Sequence, residues 1–99
     1  MPLPVAYRPK VGRDLANGFW YYEGQAQGLG EQFLSAVNSA FDAIERYPEI
    51  FARVHGEVRR ALVSRFPYAV FYRVESRRVV VLTVLPTARD PKLWPGLAR

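Results

Sequence analysis

Arginines alternate with apolar and aromatic residues between residues 58 and 91, and they are the side chains of this chain best suited to chemistry. A guanidinium group is planar, pairs bidentately with phosphate or carboxylate, and stacks on aromatic rings. Beside a scissile phosphate it stabilises the negative charge that develops in the transition state. The pattern therefore predicts a surface that binds an anionic partner. The residues expected to form it are Arg60, Arg65, Arg73, Arg77, Arg78, Arg89 and Lys92.

A catalytic use of this surface requires a proton acceptor beside the positive charge. Arg59 and Arg60 point to opposite faces of an ideal strand, so one can act on a substrate while the other is paired or solvated. Tyr72 is the first candidate for the general base, followed by Tyr68 and His55; such a base typically contributes about 10²–10⁴-fold in rate. The alternative for the tyrosines is packing in the core, with the hydroxyls at its edge. The catalytic candidates are Arg59, Arg60, Arg65, Arg89 and Tyr72.

The composition disfavours other kinds of site. The chain has no cysteine, which excludes disulfides and thiolate ligands, and His55 is its only histidine,. We therefore expect neither a metal ion nor a cofactor. Gly24, Gly28 and Gly30 lie between two predicted helices and do not follow a strand, so they do not predict a phosphate-binding loop.

The positive charge is concentrated in the second half of the chain, although the net charge of all 99 residues is only +5. Residues 1–49 contain four basic and six acidic residues, a net charge of −2, whereas residues 50–99 contain ten basic and three acidic residues, a net charge of +7. No apolar run approaches the roughly 20 residues of a transmembrane helix, and the amino terminus lacks a signal-peptide pattern. We expect a cytoplasmic protein without membrane contact.

Hydrophobic periodicity predicts a strand and two helices in the first half. The strand covers residues 3–8, and Pro9 suits the first position of the helix that follows. Glycines at 28 and 30 end this helix, and the second helix ends before Pro48. The two helices are expected to form an antiparallel hairpin.

The second half predicts three strands, over residues 58–65, 68–75 and 79–85, joined by short turns that imply antiparallel pairing. Residues 49–57 have no clear period and are expected to be irregular. Strand pairing is expected to bring together three arginines at or near strand ends, namely Arg65, Arg73 and Arg89.

The predicted fold class is α+β, with a single domain over residues 1–99. Its order is β-α-α-β-β-β with a short C-terminal tail, and the helical hairpin packs on one face of an antiparallel sheet. The last strand is apolar on both faces and should be central and covered on both sides. So short a chain has little left to cover the second sheet face, and we expect part of that face to await a partner.

Several segments together resemble the RelE/ParE superfamily of bacterial toxins from type II toxin-antitoxin systems, which includes plasmid stabilisation proteins. They are YYEGQAQGLG and EQFLSAV in the helices, RYPEI after them, VRRALVSRFPYAVFYRVE, and VVVLTVLPTARDPKLW. The resemblance covers nearly the whole chain and implies the β-α-α-β-β-β fold. It also implies a cognate antitoxin whose extended or helical segment wraps the toxin in a toxin-antitoxin hetero-oligomer.

The resemblance implies two possible targets. In the RelE-like branch the toxin enters the ribosome and cleaves mRNA without a metal, using basic strand residues and commonly a tyrosine near the carboxyl terminus. In the ParE-like branch the toxin binds and inhibits DNA gyrase, which requires a contact surface and no catalytic residue. The chain departs from the RelE-like pattern: Trp94 follows Arg89 with no tyrosine, Pro86 replaces a frequent histidine, and the strands carry no lysine.

These departures favour a growth-arresting toxin that inhibits gyrase in the ParE-like manner. The first alternative is a ribosome-dependent mRNA endoribonuclease of the RelE-like type. The second alternative is a generic nucleic-acid-binding domain whose arginines only contact phosphates, with salt-sensitive binding and without growth arrest.

Overall fold

The computed structural model of the protein describes residues 3–88, which form two helices and a five-stranded sheet. The order along the chain is β1 (Val5–Tyr7), α1 (Pro9–Gln25), α2 (Leu29–Arg46), β2 (Arg53–His55), β3 (Val58–Leu62), β4 (Tyr68–Val74) and β5 (Val79–Pro86). The order across the sheet is β1-β5-β4-β3-β2, with the helical hairpin on one face. The predicted α+β class and hairpin are confirmed.

Two features of the sheet differ from the sequence prediction. Strand β2 lies in the segment expected to be irregular, because a strand of three residues is too short to display a period,. Strand β1 pairs with β5 in parallel, while the other pairs are antiparallel. Val5 opposes Val79 in that pair, and partners so distant in the chain are set by tertiary packing, which no local pattern records.

The start of α2 is capped from the preceding helix. Gly28 has φ of 86°, a left-handed conformation that favours glycine and turns the chain between the helices,. The Glu23 carboxylate accepts hydrogen bonds from the backbone N–H groups of Gly28 and Gly30, each with a distance of 3.0 Å. A carboxylate at this position satisfies backbone donors and complements the positive end of the helix dipole.

The main core lies between the helical hairpin and the near face of the sheet. Its largest contacts are aromatic: Phe33 of α2 packs edge-on against Phe66 and Tyr68, and Tyr22 of α1 packs against both Phe33 and Phe66. Aromatic pairs in this geometry add to the stability that burial provides. This cluster holds the β3–β4 turn firmly against the helices.

The N-terminal half of α1 is tied to β5 by a buried carboxylate. Strand β1 pairs with β5 only as far as Val81, so the N–H of Val84 has no β1 partner. Asp14 accepts a hydrogen bond from that N–H at 3.0 Å and another from the Thr83 hydroxyl. Lys10 donates to both Asp14, at 2.7 Å, and Thr83, at 2.9 Å. The network substitutes for the missing strand contact.

The sheet face opposite the helices, called the far face below, carries a second buried apolar cluster. β5 is buried on both faces, as predicted. Val54 of β2, a strand absent from the prediction, packs against this cluster, whereas Leu62 on the same face is exposed. The expectation that part of this face awaits a partner stays a prediction. The buried residues of this cluster are Val58, Ala69, Phe71, Val80, Leu82 and Leu85. Between residues 3 and 88, no helix is long and apolar enough to cross a membrane.

Candidate functional site

Strand register places the two adjacent arginines of β3 on opposite faces of the sheet, as the sequence predicted. Arg59 opposes Tyr72, whose ring belongs to the core beneath the helices. Arg60 opposes Phe71, which belongs to the far-face cluster. Arg73 opposes Val58 and so lies on the far face with Arg60.

Arg59 binds backbone on the helical side of the sheet. Its Nη1 donates to the carbonyl oxygens of Glu49, at 3.0 Å, and Phe51, at 2.7 Å. These bonds hold the connection between α2 and β2 in place. The guanidinium group of Arg59 is therefore engaged in structure.

Tyr72 is fully buried and holds the same connection. Its hydroxyl donates a 2.6 Å hydrogen bond to the carbonyl oxygen of Pro48, and its ring packs edge-on against Phe51. Burial raises the pKa of Tyr72 to about 12, although the nearby positive charge of Arg59 acts in the opposite direction. A buried phenol that already donates its proton to a carbonyl is a poor proton acceptor near neutral pH.

We expect the Tyr72 phenol to make the fold sensitive to high pH. In the unfolded chain a tyrosine ionises near its ordinary pKa of about 10, whereas in the folded protein burial holds this pKa at about 12. Stability that is fully present below about pH 10 is therefore lost as the pH rises toward about 12. Urea unfolding curves of the wild type near pH 8 and pH 11 should reveal this loss.

The Tyr72→Phe variant should lose about 1 kcal/mol of stability near neutral pH, because the hydrogen bond to Pro48 is removed. Its further loss at high pH should be smaller than that of the wild type. Tyr21→Phe, at an exposed tyrosine of α1, is the matched control and should leave both quantities unchanged. An equal high-pH loss in Tyr72→Phe and the wild type would contradict this prediction.

A carboxylate pairs with two of the predicted anion-binding arginines at the β4–β5 turn. Glu75 accepts from Arg73 Nη2 through one carboxylate oxygen and from Arg78 Nε through the other, both at 2.9 Å. The hydrogen bonds from Arg78 and Arg73 hold the pKa of Glu75 below its ordinary value. The three residues carry a net charge of +1, and the exposed Arg77 lies beside them.

Arg65 lies in the β3–β4 turn, at the opposite end of β4 from Arg73. Eight residues along an extended chain correspond to roughly 25 Å, so strand pairing does not bring Arg65 and Arg73 together. That part of the prediction is wrong because the two arginines flank the same strand. Arg89, which was expected to join them, lies outside the described residues, as does Lys92.

The described residues offer no cluster of three or more histidine, cysteine, aspartate or glutamate side chains able to hold a metal ion. His55 is exposed on the edge strand β2. Of the other two candidate bases, Tyr72 is buried beneath the helices and Tyr68 is partly buried against the same core.

The fold creates two polar groupings that the sequence does not predict. One is the Asp14 network, whose only local signal is the spacing of Lys10 and Asp14 one helical turn apart,. The other is a pocket in which Ser35 and Ser39 of α2 meet Arg65. The two serines lie four residues apart on one helix face, but no local pattern indicates that a turn 26 residues further along packs beside them.

A protein-family model matches most of the chain. The model of the ParE toxin of type II toxin-antitoxin systems, parDE, matches residues 5–91. A search of curated proteins found no match.

Three solved structures are similar in fold. A chain of the chromosomal ParDE system from P. aeruginosa has a TM-score of 0.76 at 14% identity, over 85% of this chain and 95% of that chain. A chain of the toxin-antitoxin complex RelBE2 from Mycobacterium tuberculosis has a TM-score of 0.62 at 22% identity, over 87% and 99%. A mutant of the E. coli toxin RelE in the free state has a TM-score of 0.60 at 12% identity, over 99% and 96%. At these identities the likeness concerns the fold alone.

Proposed function

The chain belongs to the ParE toxin family of type II toxin-antitoxin systems, and on that premise we propose that it arrests growth by binding and inhibiting DNA gyrase. A cognate antitoxin would neutralise it. Two of the structural neighbours are toxin-antitoxin systems, which supports a protein partner of this kind.

The exposed pair Arg60 and Leu62 on the far face of β3 is the observation that carries this proposal. The side chain of Leu62 is 62% exposed. Arg60 is also exposed, and its guanidinium group has no hydrogen bond or ion pair among residues 3–88. An apolar side chain beside an unpaired arginine is typical of protein interfaces, where arginine is enriched and anchors binding. A contact surface of this composition suits a macromolecular target and requires no proton acceptor.

The engagement of the catalytic candidates supports the same proposal. Arg59 and Tyr72 are both bonded to backbone carbonyls. A ribonuclease mechanism would need a proton acceptor other than Tyr72, and the remaining candidates in the described part of the chain are Tyr68 and the exposed His55. Gyrase inhibition makes no such demand.

The mRNA endoribonuclease stays as the second candidate because Arg60 and Arg65 are both exposed and unpaired within the described part of the chain. Either guanidinium can meet a phosphate. The two targets differ in what they predict for purified protein.

We expect unaccompanied expression to stop bacterial growth and the purified protein to inhibit gyrase in a supercoiling assay. Arg60→Ala should weaken inhibition about tenfold or more, as expected for an interface anchor, without changing the unfolding curve. Arg13→Ala, at an exposed arginine of α1, is the matched control and should inhibit like the wild type.

The same preparation should leave mRNA intact in a ribosome-programmed cleavage assay. Cleavage that Arg60→Ala or Arg65→Ala abolishes would replace gyrase with the ribosome as target. Normal growth during unaccompanied expression would remove the toxin activity altogether, and binding to DNA or RNA without growth arrest would favour the nucleic-acid-binding alternative.

A further inference from the structure

A pocket of about 230 Å³ lies between α2 and the β3–β4 turn, away from the far face. One side is a single face of α2, whose lining residues recur at the helical spacing of three and four. The other side is the turn itself. The lining residues are Gln32, Ser35, Ala36, Ser39, Ser64, Arg65 and Phe66.

The lining is rich in hydrogen-bond donors and contains no acidic side chain. Three serines line the same space as Arg65, whose guanidinium group has no ion pair or hydrogen bond within residues 3–88. Ser39 donates to the carbonyl oxygen of Ser35 within its own helix, and its hydroxyl oxygen can rotate to other partners. This donor set is complementary to an oxyanion.

The turn that carries Arg65 is held rigidly in an uncommon backbone conformation. Arg65 has φ of 71°, the left-handed region, which costs a residue with a Cβ about 1 kcal/mol or more,. The N–H of Val63 donates to the carbonyl oxygen of Tyr68 at 2.9 Å, and the N–H of Tyr68 donates to that of Phe66 at 2.7 Å. Strained conformations that the surroundings maintain occur preferentially at ligand sites.

The neighbouring Phe66 also fixes the pocket floor. Its ring lies edge-on to Tyr22, with centroids 4.8 Å apart, and to the buried Phe33, with centroids 5.5 Å apart. Because the turn does not need to reorganise, a ligand meets a preformed site, which lowers the free-energy cost of binding.

We propose that this pocket binds the carboxylate of an acidic side chain presented by a peptide segment. Its volume is below the range of about 300–1,000 Å³ typical of small-molecule sites, which suits a single side chain. Ala36 and Phe66 offer apolar contact to methylene groups, while Arg65 and the hydroxyls receive the oxygens. The inference rests on the proposed function in one respect: the segment belongs to the antitoxin.

A nucleic-acid backbone fits this pocket less well than an acidic peptide. Binding a phosphodiester chain requires several cationic groups in a row, and this pocket contributes only Arg65. The adjoining helix α2 has a single basic residue, Arg46 in its last turn, against three acidic residues. A single carboxylate can bind at Arg65, whereas an extended polyanion would be repelled by the acidic residues of α2.

The test titrates the isotope-labelled full chain with N-acetylglutamate as the probe. Binding is measured from changes in the amide chemical shifts of the protein. Saturable shifts are expected at residues 35–39 and 64–66. N-acetylglutamine keeps the α-carboxylate and differs only in its uncharged side chain, so it should produce much weaker shifts. Arg65→Gln should weaken binding about tenfold or more, whereas Arg13→Gln, at an exposed arginine of α1, should bind like the wild type.

Three results would overturn the inference: no shifts in the pocket, equal binding by Arg65→Gln, or tighter binding of methyl phosphate than of N-acetylglutamate. The last result would point to a phosphate ligand instead. None of them bears on growth arrest or gyrase inhibition, which are measured separately. A protein that inhibits gyrase and ignores N-acetylglutamate would keep the proposed function and lose this site.

Discussion

Replacing Gly18 by alanine is expected to destabilise the protein by about 2 kcal/mol or more, whereas the same replacement at Gly24 of the same helix should stabilise it. A Cβ at Gly18 would lie 2.5 Å from two ring carbons of Phe33. Phe33 is fully buried among other rings, so it has no free space into which to move. The cost of overpacking then exceeds the gain of about 1 kcal/mol that alanine offers in a helix.

Urea unfolding of the two single variants and the wild type provides the measurement. A Cβ at Gly24 meets nothing within 4 Å, so Gly24→Ala retains only the helix-propensity gain of about 1 kcal/mol,. The helix, the substitution and the added methyl group are the same in both variants, and only the neighbour differs. If Gly18→Ala proved as stable as Gly24→Ala, the close helix contact described here would be wrong.

The contact at Gly18 has a counterpart across the hairpin. A Cβ at Gly30 would lie 2.6 Å from the ring of Phe19 and 2.8 Å from its backbone oxygen. Each helix thus presents a glycine to an aromatic residue of the other, and the two contacts set how closely the helices approach. The apparent defect of a glycine in the middle of a helix is required by this packing.

Removing the Asp14 carboxylate is expected to cost about 3 kcal/mol in the Asp14→Ala variant. The substitution leaves the Val84 N–H, the Thr83 hydroxyl and the Lys10 ammonium without their shared acceptor. Unsatisfied buried donors cost about 1–3 kcal/mol each, and a broken buried ion pair costs about 3–5 kcal/mol. The cost of breaking the ion pair is reduced because Lys10 is partly exposed, so water can solvate its ammonium group after Asp14 is removed,.

Two further variants separate the parts of this effect. Asp14→Asn keeps one oxygen acceptor and should lie between the wild type and Asp14→Ala in urea unfolding. Arg53→Ala removes an exposed ion pair with Glu57, whose closest atoms are 3.7 Å apart, and should change stability by less than about 0.5 kcal/mol. A loss below about 1 kcal/mol in Asp14→Ala would mean that water satisfies the freed donors.

The arginines of the second half of the chain lie in separate places in the fold, although they are close together in the sequence. Arg59 holds a loop, Arg73 and Arg78 share Glu75, and Arg65 faces a pocket at the other end of the sheet. Arg60 remains exposed on the far face. A target that binds there and a peptide that binds at Arg65 would meet different parts of the molecule, which allows each contact to be tested by its own substitution.

The positions of the candidate site residues were predictable only where they depend on neighbours in the sequence. Alternation placed Arg59 and Arg60 on opposite faces correctly, because a strand has a period of two. The prediction that Arg65 and Arg73 lie close together was wrong. Both are near an end of β4, but they are near opposite ends of it. The role of Tyr72 depended on Pro48, 24 residues earlier, and its burial is a property of the assembled core.

The sequence by itself determined the two helices, the three long strands, the burial of β5 on both faces and the family. These follow from periodicities, glycine and proline positions and motifs that act over a few residues. Only the tertiary structure decided the parallel β1–β5 pair, the strand β2, the partners of each arginine and the pocket at Arg65. Those features arise where distant segments meet, since hydrogen bonds and charges select partners by distance in space and not by position in the chain.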